Sequence, residues 1–161
     1  MPVGISMQKL SVTLRLGVGI ALLAWFGATV LPAQEIGPAN GSLVLVGGAL
    51  RDPAILERFV SLAGGPTAPI VVIPTAGGNQ TYDQRYPGLR IFRDVGASDL
   101  TVLHTTDPDE ANLQSFVEPL QRARGVWFPG GRQWRLADAY LGTRVHHELT
   151  QVLVRGGVVG G

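Results

Sequence analysis

The sequence predicts an α/β domain in three layers, a mostly parallel, doubly wound sheet with helices on both faces. Three observations predict it. Short continuous apolar runs alternate with amphipathic stretches, which calls for buried parallel strands joined by helices. Glycine pairs follow the runs at Gly47-Gly48, Gly77-Gly78 and Gly130-Gly131, and Gly160-Gly161 follows the last. Asp-Pro stands at two expected helix starts, Asp52-Pro53 and Asp107-Pro108. The 161 residues suffice for one domain or part of one, and 45% hydrophobic content is enough to build its core.

The first segment reads as a targeting signal, 1–33. Lys9 and Arg15 precede an apolar run over 16–31, and Pro32-Ala33-Gln34 offers a small residue for cleavage. An uncleaved anchor is the alternative, although the run is short for a bilayer span. Either way the folded part is expected outside the cytoplasm, periplasmic or secreted. No cysteine follows the run, so no lipid is attached there. A linker occupies 34–41, and the domain is expected over 42–161.

S-L-V-L-V over 42–46 reads as a strand buried on both faces. After the Asp52-Pro53 start, Ile55, Leu56, Phe59, Val60 and Leu62 make one apolar stripe, closed by Gly64-Gly65-Pro66. P-I-V-V-I-P over 69–74 is the second strand. The polar stretch 79–87 is either a substrate-side loop or the solvated start of the next helix, which runs over 89–95. L-T-V-L over 100–103 is the third strand. Asp107-Pro108-Asp109-Glu110 opens a helix with Leu113, Phe116, Val117 and Leu120 on its apolar face, and Pro119 should bend or end it.

V-W-F over 126–128 is a fourth strand, stopped by Pro129-Gly130-Gly131. From Gln133 a helix places Trp134, Leu136, Ala137, Tyr140 and Leu141 at helical spacing, and a second over 144–153 carries Val145, Leu149, Val152 and Leu153. Arg155-Gly156-Gly157 ends it, and Val158-Val159 starts the last strand. In such sheets ligands bind at the carboxyl ends of the strands, where all four glycine pairs are expected to share one rim. Backbone amides there can face a ligand.

Several functions are excluded or unsupported. The net charge of +1 and the lack of a basic aromatic patch argue against nucleic acid. Without cysteine there is no disulfide, thiolate metal site or cysteine nucleophile. Gly47-Gly48-Ala49-Leu50-Arg51-Asp52 does not fit the dinucleotide fingerprint, and Lys9 is the only lysine, so there is no P-loop. No metal or other cofactor is expected.

G-S-L-V-L-V-G-G-A-L, I-L-E-R-F-V-S-L-A-G-G, I-V-V-I-P-T-A and G-V-W-F-P-G-G-R-Q-W-R-L together resemble cyanophycinase and its extracellular relatives. These are serine peptidases related to dipeptidase E, on a class I glutamine amidotransferase-like fold. The resemblance runs from Gly41 to Gly161. It implies a secreted serine-type exopeptidase or isopeptidase that works through an acyl-enzyme on a peptide or isopeptide. In that family the strand matching 158–161 continues into a serine or threonine and then Ser-Ala-Gly-Ala, whose serine is the nucleophile, about two residues past this chain's last. By this resemblance the sheet is incomplete at its C-terminus, the nucleophile lies beyond Gly161, and the catalytic histidine lies further on. His146, His147 and His104 do not match it.

The resemblance carries over the front of the pocket alone. Gly130 and Gly131 match a glycine turn whose N–H groups can face an oxyanion; such a donor contributes about 2.7–4 kcal/mol to the transition state. Gln133 matches a substrate-holding glutamine, and Gly47 and Gly48 match the first-strand turn. Cyanophycinase has aspartate where this chain has Arg132, a reversed charge that puts cyanophycin as substrate in question. Arg132 is read either as a carboxylate-binding group or as a surface arginine at a helix start. The expectation is a chain inactive alone; the alternatives are a non-catalytic peptide-binding domain and a non-functional truncated product. Oligomeric state is left open.

Overall fold

A computed structural model describes residues 37–48 and 50–161. The expected signal segment and residues 34–36 of the linker lie outside the described residues. The described strands are β1 Ser42–Val44, β2 Ile70–Val72, β3 Leu100–Val102, β4 Gly125–Trp127 and β5 Val158–Gly160. They form one sheet in the order β1-β5-β4-β2-β3, and every pairing is parallel. The helices between them are α1 Pro53–Ala63, α2 Arg90–Asp94, α3 Gln114–Arg122, α4 Gln133–Tyr140 and α5 Arg144–Val154.

Side chains alternate across a strand, so the sheet has two cores. Ile70, Val72, Trp127 and Val158 face one way and meet Leu56, Phe59 and Val60 of α1 and Phe92 of α2. Phe59, Phe92 and Trp127 pack edge to face there, with ring centroids 5.0–6.0 Å apart. Val71, Ile73 and Val126 face the other way, against Val117 and Leu120 of α3, Ala139 and Tyr140 of α4, and Val145 and Val152 of α5. This is the expected three-layer arrangement. α1 begins as its sequence predicts: Asp52 accepts the Ala54 N–H at 2.9 Å, Pro53 occupies the first turn, and Gly64 closes the helix at φ 111°.

Four expectations need correction. β1 is an edge strand; Leu43 is 49% and Leu45 86% exposed, so the run is not buried on both faces. Asp107-Pro108-Asp109-Glu110 opens only a one-turn 3-10 helix, Glu110–Asn112, and not the long helix expected. Thr105 Oγ1 donates to Glu110 at 2.6 Å and Asp107 accepts the Asp109 N–H at 2.9 Å, so this polar chemistry closes a turn instead. α3 starts later, at Gln114, which leaves Leu113 outside its buried face and 53% exposed. α3 carries Pro119 in its last turn and ends at Arg122. Trp134 and Leu141 are 53% and 69% exposed rather than core.

The polar stretch before α2 is a loop. Its Gln84 side chain takes the Val102 N–H at 2.9 Å and donates to the Val102 carbonyl at 3.0 Å, covering both backbone groups of one residue of the edge strand β3. β5, by contrast, lies inside the sheet. Val158, Val159 and Gly160 pair with Ser42, Leu43 and Val44 on one side and with Gly125, Val126 and Trp127 on the other.

Candidate active site

The carboxyl ends of β1, β5 and β4 meet around a cleft of ≈ 200 Å3. Val46, Trp127, Phe128 and Pro129 wall it, and Gly47, Gly48, Gly130 and Gly161 rim it. The end of β5 is held from both sides. Phe128 N–H donates to the Gly160 carbonyl at 2.8 Å, Gly161 N–H to the Val44 carbonyl at 3.1 Å, and Val46 N–H to the Gly161 carbonyl at 2.8 Å. These three backbone bonds fix the Gly160-Gly161 end of β5 at the cleft.

The glycines of this region fall into two kinds. Gly160 is required by packing, since a Cβ would sit 2.8 Å from the Trp127 ring and 3.1 Å from Phe59. At Gly161 a Cβ would run into the Phe128 carbonyl. Gly47, Gly48 and Gly130 differ: a Cβ on any of them meets nothing within 4 Å, and none has a positive φ. Among the described residues, neither packing nor backbone conformation asks for glycine at these three positions. All three face the same cleft. Among the described residues, the N–H groups of Gly47, Gly48, Gly130 and Gly131 donate no hydrogen bond.

The other expected site residues lie beside this cleft and not on its wall. Gly131 (φ 155°) packs its backbone onto Ala76, so closely that a Cβ would overlap the Ala76 carbonyl. The Arg132 N–H is spent on that carbonyl at 2.9 Å and is no longer a free donor. The exposed Arg132 guanidinium stacks over the Trp134 ring, 5.0 Å from its centroid. Gln133, also exposed, is the first residue of α4. The pair Gly77-Gly78 is not on the cleft; it lies under Tyr82 and Arg135. The four glycine pairs thus do not share one rim. His146 and His147 are exposed on α5.

At the far side of the same sheet edge, the ends of β2 and β3 carry a polar network that sequence reasoning missed. Thr75, 1% exposed, lies in a 3-10 turn, Pro74–Gly77. Its Oγ1 is 2.7 Å from the Tyr140 hydroxyl and 2.9 Å from His104 Nδ1. The Thr105 N–H donates to the Tyr140 hydroxyl at 3.2 Å, and His104 Nε2 lies 3.2 Å from the Gln80 carbonyl. Burial pushes the Tyr140 phenol above its ordinary value, against the opposing pull of its bonds to Thr75 and Thr105. The one signal in the sequence was a threonine directly after a buried strand, I-V-V-I-P-T. His104 is separated from β5 by β2 and β4, so it belongs to this network and not to the cleft.

No protein-family model matches the chain. Curated relatives do. The chain is 32% identical over 126 residues to a cyanophycinase of Geminocystis herdmanii, covering 76% of this chain and 46% of the relative. It is 30% identical over 132 residues to one of Synechococcus elongatus, covering 76% and 39%. Among solved structures, a peptidase from an acI-B1 Actinobacterium superposes with TM-score 0.57 at 26% identity, over 75% of this chain and 53% of that one.

The chain is cyanophycinase-like over the stretch it shares with these relatives. A structure described as a putative peptidase E protein from Listeria monocytogenes shares the fold, with TM-score 0.50 and 16% identity over 75% of this chain and 57% of that one. The cyanophycinase-like chain spans less than half the length of the curated relatives it matches.

Proposed function

We propose that the described unit forms the front of a hydrolase pocket, in a serine-type peptidase or isopeptidase that acts through an acyl-enzyme. The observation that carries this reading is the meeting of three structurally unneeded glycines, Gly47, Gly48 and Gly130, around the end of β5. Their missing side chains leave room for a substrate backbone, and their N–H groups are unspent. A serine about two residues past Gly161 would attack the substrate carbonyl carbon and pass its proton to a base. The new C–O bond forms as the carbonyl electron pair moves onto oxygen. The free amide of Gly130, on the cleft, is the available donor for that oxyanion, with the free amide of Gly131 beside it. Collapse breaks the C–N bond, the amine leaves with the proton, and water then hydrolyses the ester. The 161-residue chain, holding the rim and not the nucleophile, is inactive by itself on this reading.

The test is a protein extended past Gly161 with the family's Ser-Ala-Gly-Ala turn and the remainder of a cyanophycinase domain. It should hydrolyse a peptide or isoaspartyl substrate and bind a fluorophosphonate covalently, and the serine-to-alanine variant should do neither. Turnover by the pure 161-residue chain would overturn the placement of the nucleophile. A second reading, a non-catalytic peptide-binding unit, is favoured by the exposed Arg132–Trp134 stack, which can hold an anionic peptide without any nucleophile. Peptide binding by the extended protein with no turnover would select it.

We also propose that the protein is exported. The positive start, apolar run and Ala33 support this. N-terminal sequencing of protein from the periplasm or medium should begin at Gln34; recovery in the cytoplasmic fraction alone overturns it.

A further inference from the structure

We propose that the turn Pro74–Gly77, with Thr75 as its positioning residue, sets the direction of the rim amides at Gly130 and Gly131. This inference rests on the proposed function, since it concerns the same rim. α4 follows that rim directly, and two consecutive residues of the turn hold both of its ends. At the N-terminal end the Ala76 carbonyl accepts from Arg132 N–H at 2.9 Å and from Arg135 Nη1 at 3.1 Å. At the C-terminal end the Tyr140 hydroxyl reaches Thr75 at 2.7 Å. A helix pinned at one end pivots; pinned at both ends on one rigid turn, it cannot. The glycines just before it, which have no side chains to anchor them, inherit their orientation from α4.

The turn is in turn fixed by a hydrogen-bond chain, which with a neutral His104 ring runs in one direction. Thr105 N–H can only donate and the Gln80 carbonyl can only accept. Between them Tyr140 donates to Thr75, Thr75 donates to His104 Nδ1, and His104 Nε2–H donates to Gln80. Each buried group is then satisfied once, and the chain ties β3, the turn after β2 and α4 together. Valine in place of Thr75 keeps the shape and removes both of its hydroxyl bonds. The Ala76 carbonyl then loses its fixed position although it is itself unchanged.

The experiment follows backbone amide exchange by NMR in the 161-residue protein, with no substrate, so a failed activity assay leaves its result standing. In Thr75→Val the Arg132 amide should exchange at least about tenfold faster while Val126, in β4, keeps its rate. Thr75→Ser, which restores the hydroxyl, should bring Arg132 back to within about twofold of the parent. The Gly130 and Gly131 amide resonances should shift in the valine variant and return in the serine variant. Should Thr75→Val fail to fold, Tyr140→Phe is read in the same way and decides the matter. Unchanged Arg132 exchange, or equal acceleration of Arg132 and Val126, overturns the proposal.

Discussion

The two halves of the sheet's carboxyl edge solve opposite problems. At β2 and β3 every buried polar side chain is matched, through Thr75, Tyr140, His104 and Thr105. At β1, β5 and β4 the edge is nearly all backbone, and amides at Gly47, Gly48, Gly130 and Gly131 have no partner among the described residues. A satisfied network is rigid and has nothing left to offer a ligand; unspent donors in an open cleft are what a ligand can use. The difference separates the half that holds from the half that receives. Gly130 and Gly131 mark the boundary, because adjacent residues fall on different sides of it.

The largest expected effect tests that boundary. Gly131→Ala drives a Cβ into the Ala76 carbonyl, a backbone atom that cannot swing aside. It should lower the unfolding free energy by about 3 kcal/mol, read from the shift of a urea midpoint. A shift below about 1 kcal/mol would mean that the glycine turn is not docked on the turn after β2.

Removing the Tyr140 hydroxyl comes next. Tyr140→Phe leaves the Thr105 N–H and the Thr75 hydroxyl short of a partner in a buried site, at a cost of about 1–3 kcal/mol. The same hydroxyl gives a pH signature. Its folded pKa is raised above the ordinary 10.0, so its contribution is complete below that value and is lost as pH rises through the folded one. Above about pH 10 the parent should lose stability more steeply than Tyr140→Phe, as measured by denaturation at each pH. Parallel curves would remove Tyr140 from the buried network.

How much of this was legible depended on whether the deciding neighbour was near in sequence. Asp52 caps α1 through the amide two residues on, and the cap could be read directly. The central strands β2 and β4 were equally plain as apolar runs. β1 has the same kind of run, yet its only described strand neighbour is β5, more than a hundred residues away; nothing local marks it as an edge. Asp107 and Glu110 carry helix-start chemistry, but Thr105 diverts it into a turn. The glycine pairs looked alike because what tells them apart is the atom a Cβ would meet, and Gly131 meets Ala76 across the β2–β4 pair. Thr75 and Tyr140 are separated by 65 residues, beyond any periodicity.

A smaller effect bears on what the open half receives. Arg132 lies over Trp134 in an exposed stack, an arrangement worth about 0.5–1 kcal/mol. Arg132→Ala should therefore change stability by no more than that. In an extended, active protein it should reduce the preference for acidic over neutral peptides, measured as a ratio of kcat/KM values. An unchanged ratio assigns Arg132 to the surface and leaves the cleft's selectivity to its walls.

The smallest expected effect on stability is the most informative about the cleft. Gly47→Ala and Gly130→Ala each place a methyl group in open space, at ordinary φ, and should move the unfolding free energy by less than about 0.5 kcal/mol. If a protein tolerates the methyl that easily, folding alone does not account for the glycine. In the extended protein the same substitutions should weaken turnover or peptide binding at least about tenfold, because the methyl occupies the space a substrate backbone needs. Unimpaired binding with unimpaired stability would mean that the glycines line an empty indentation, and the functional half of the comparison would collapse while the Thr75 network stood.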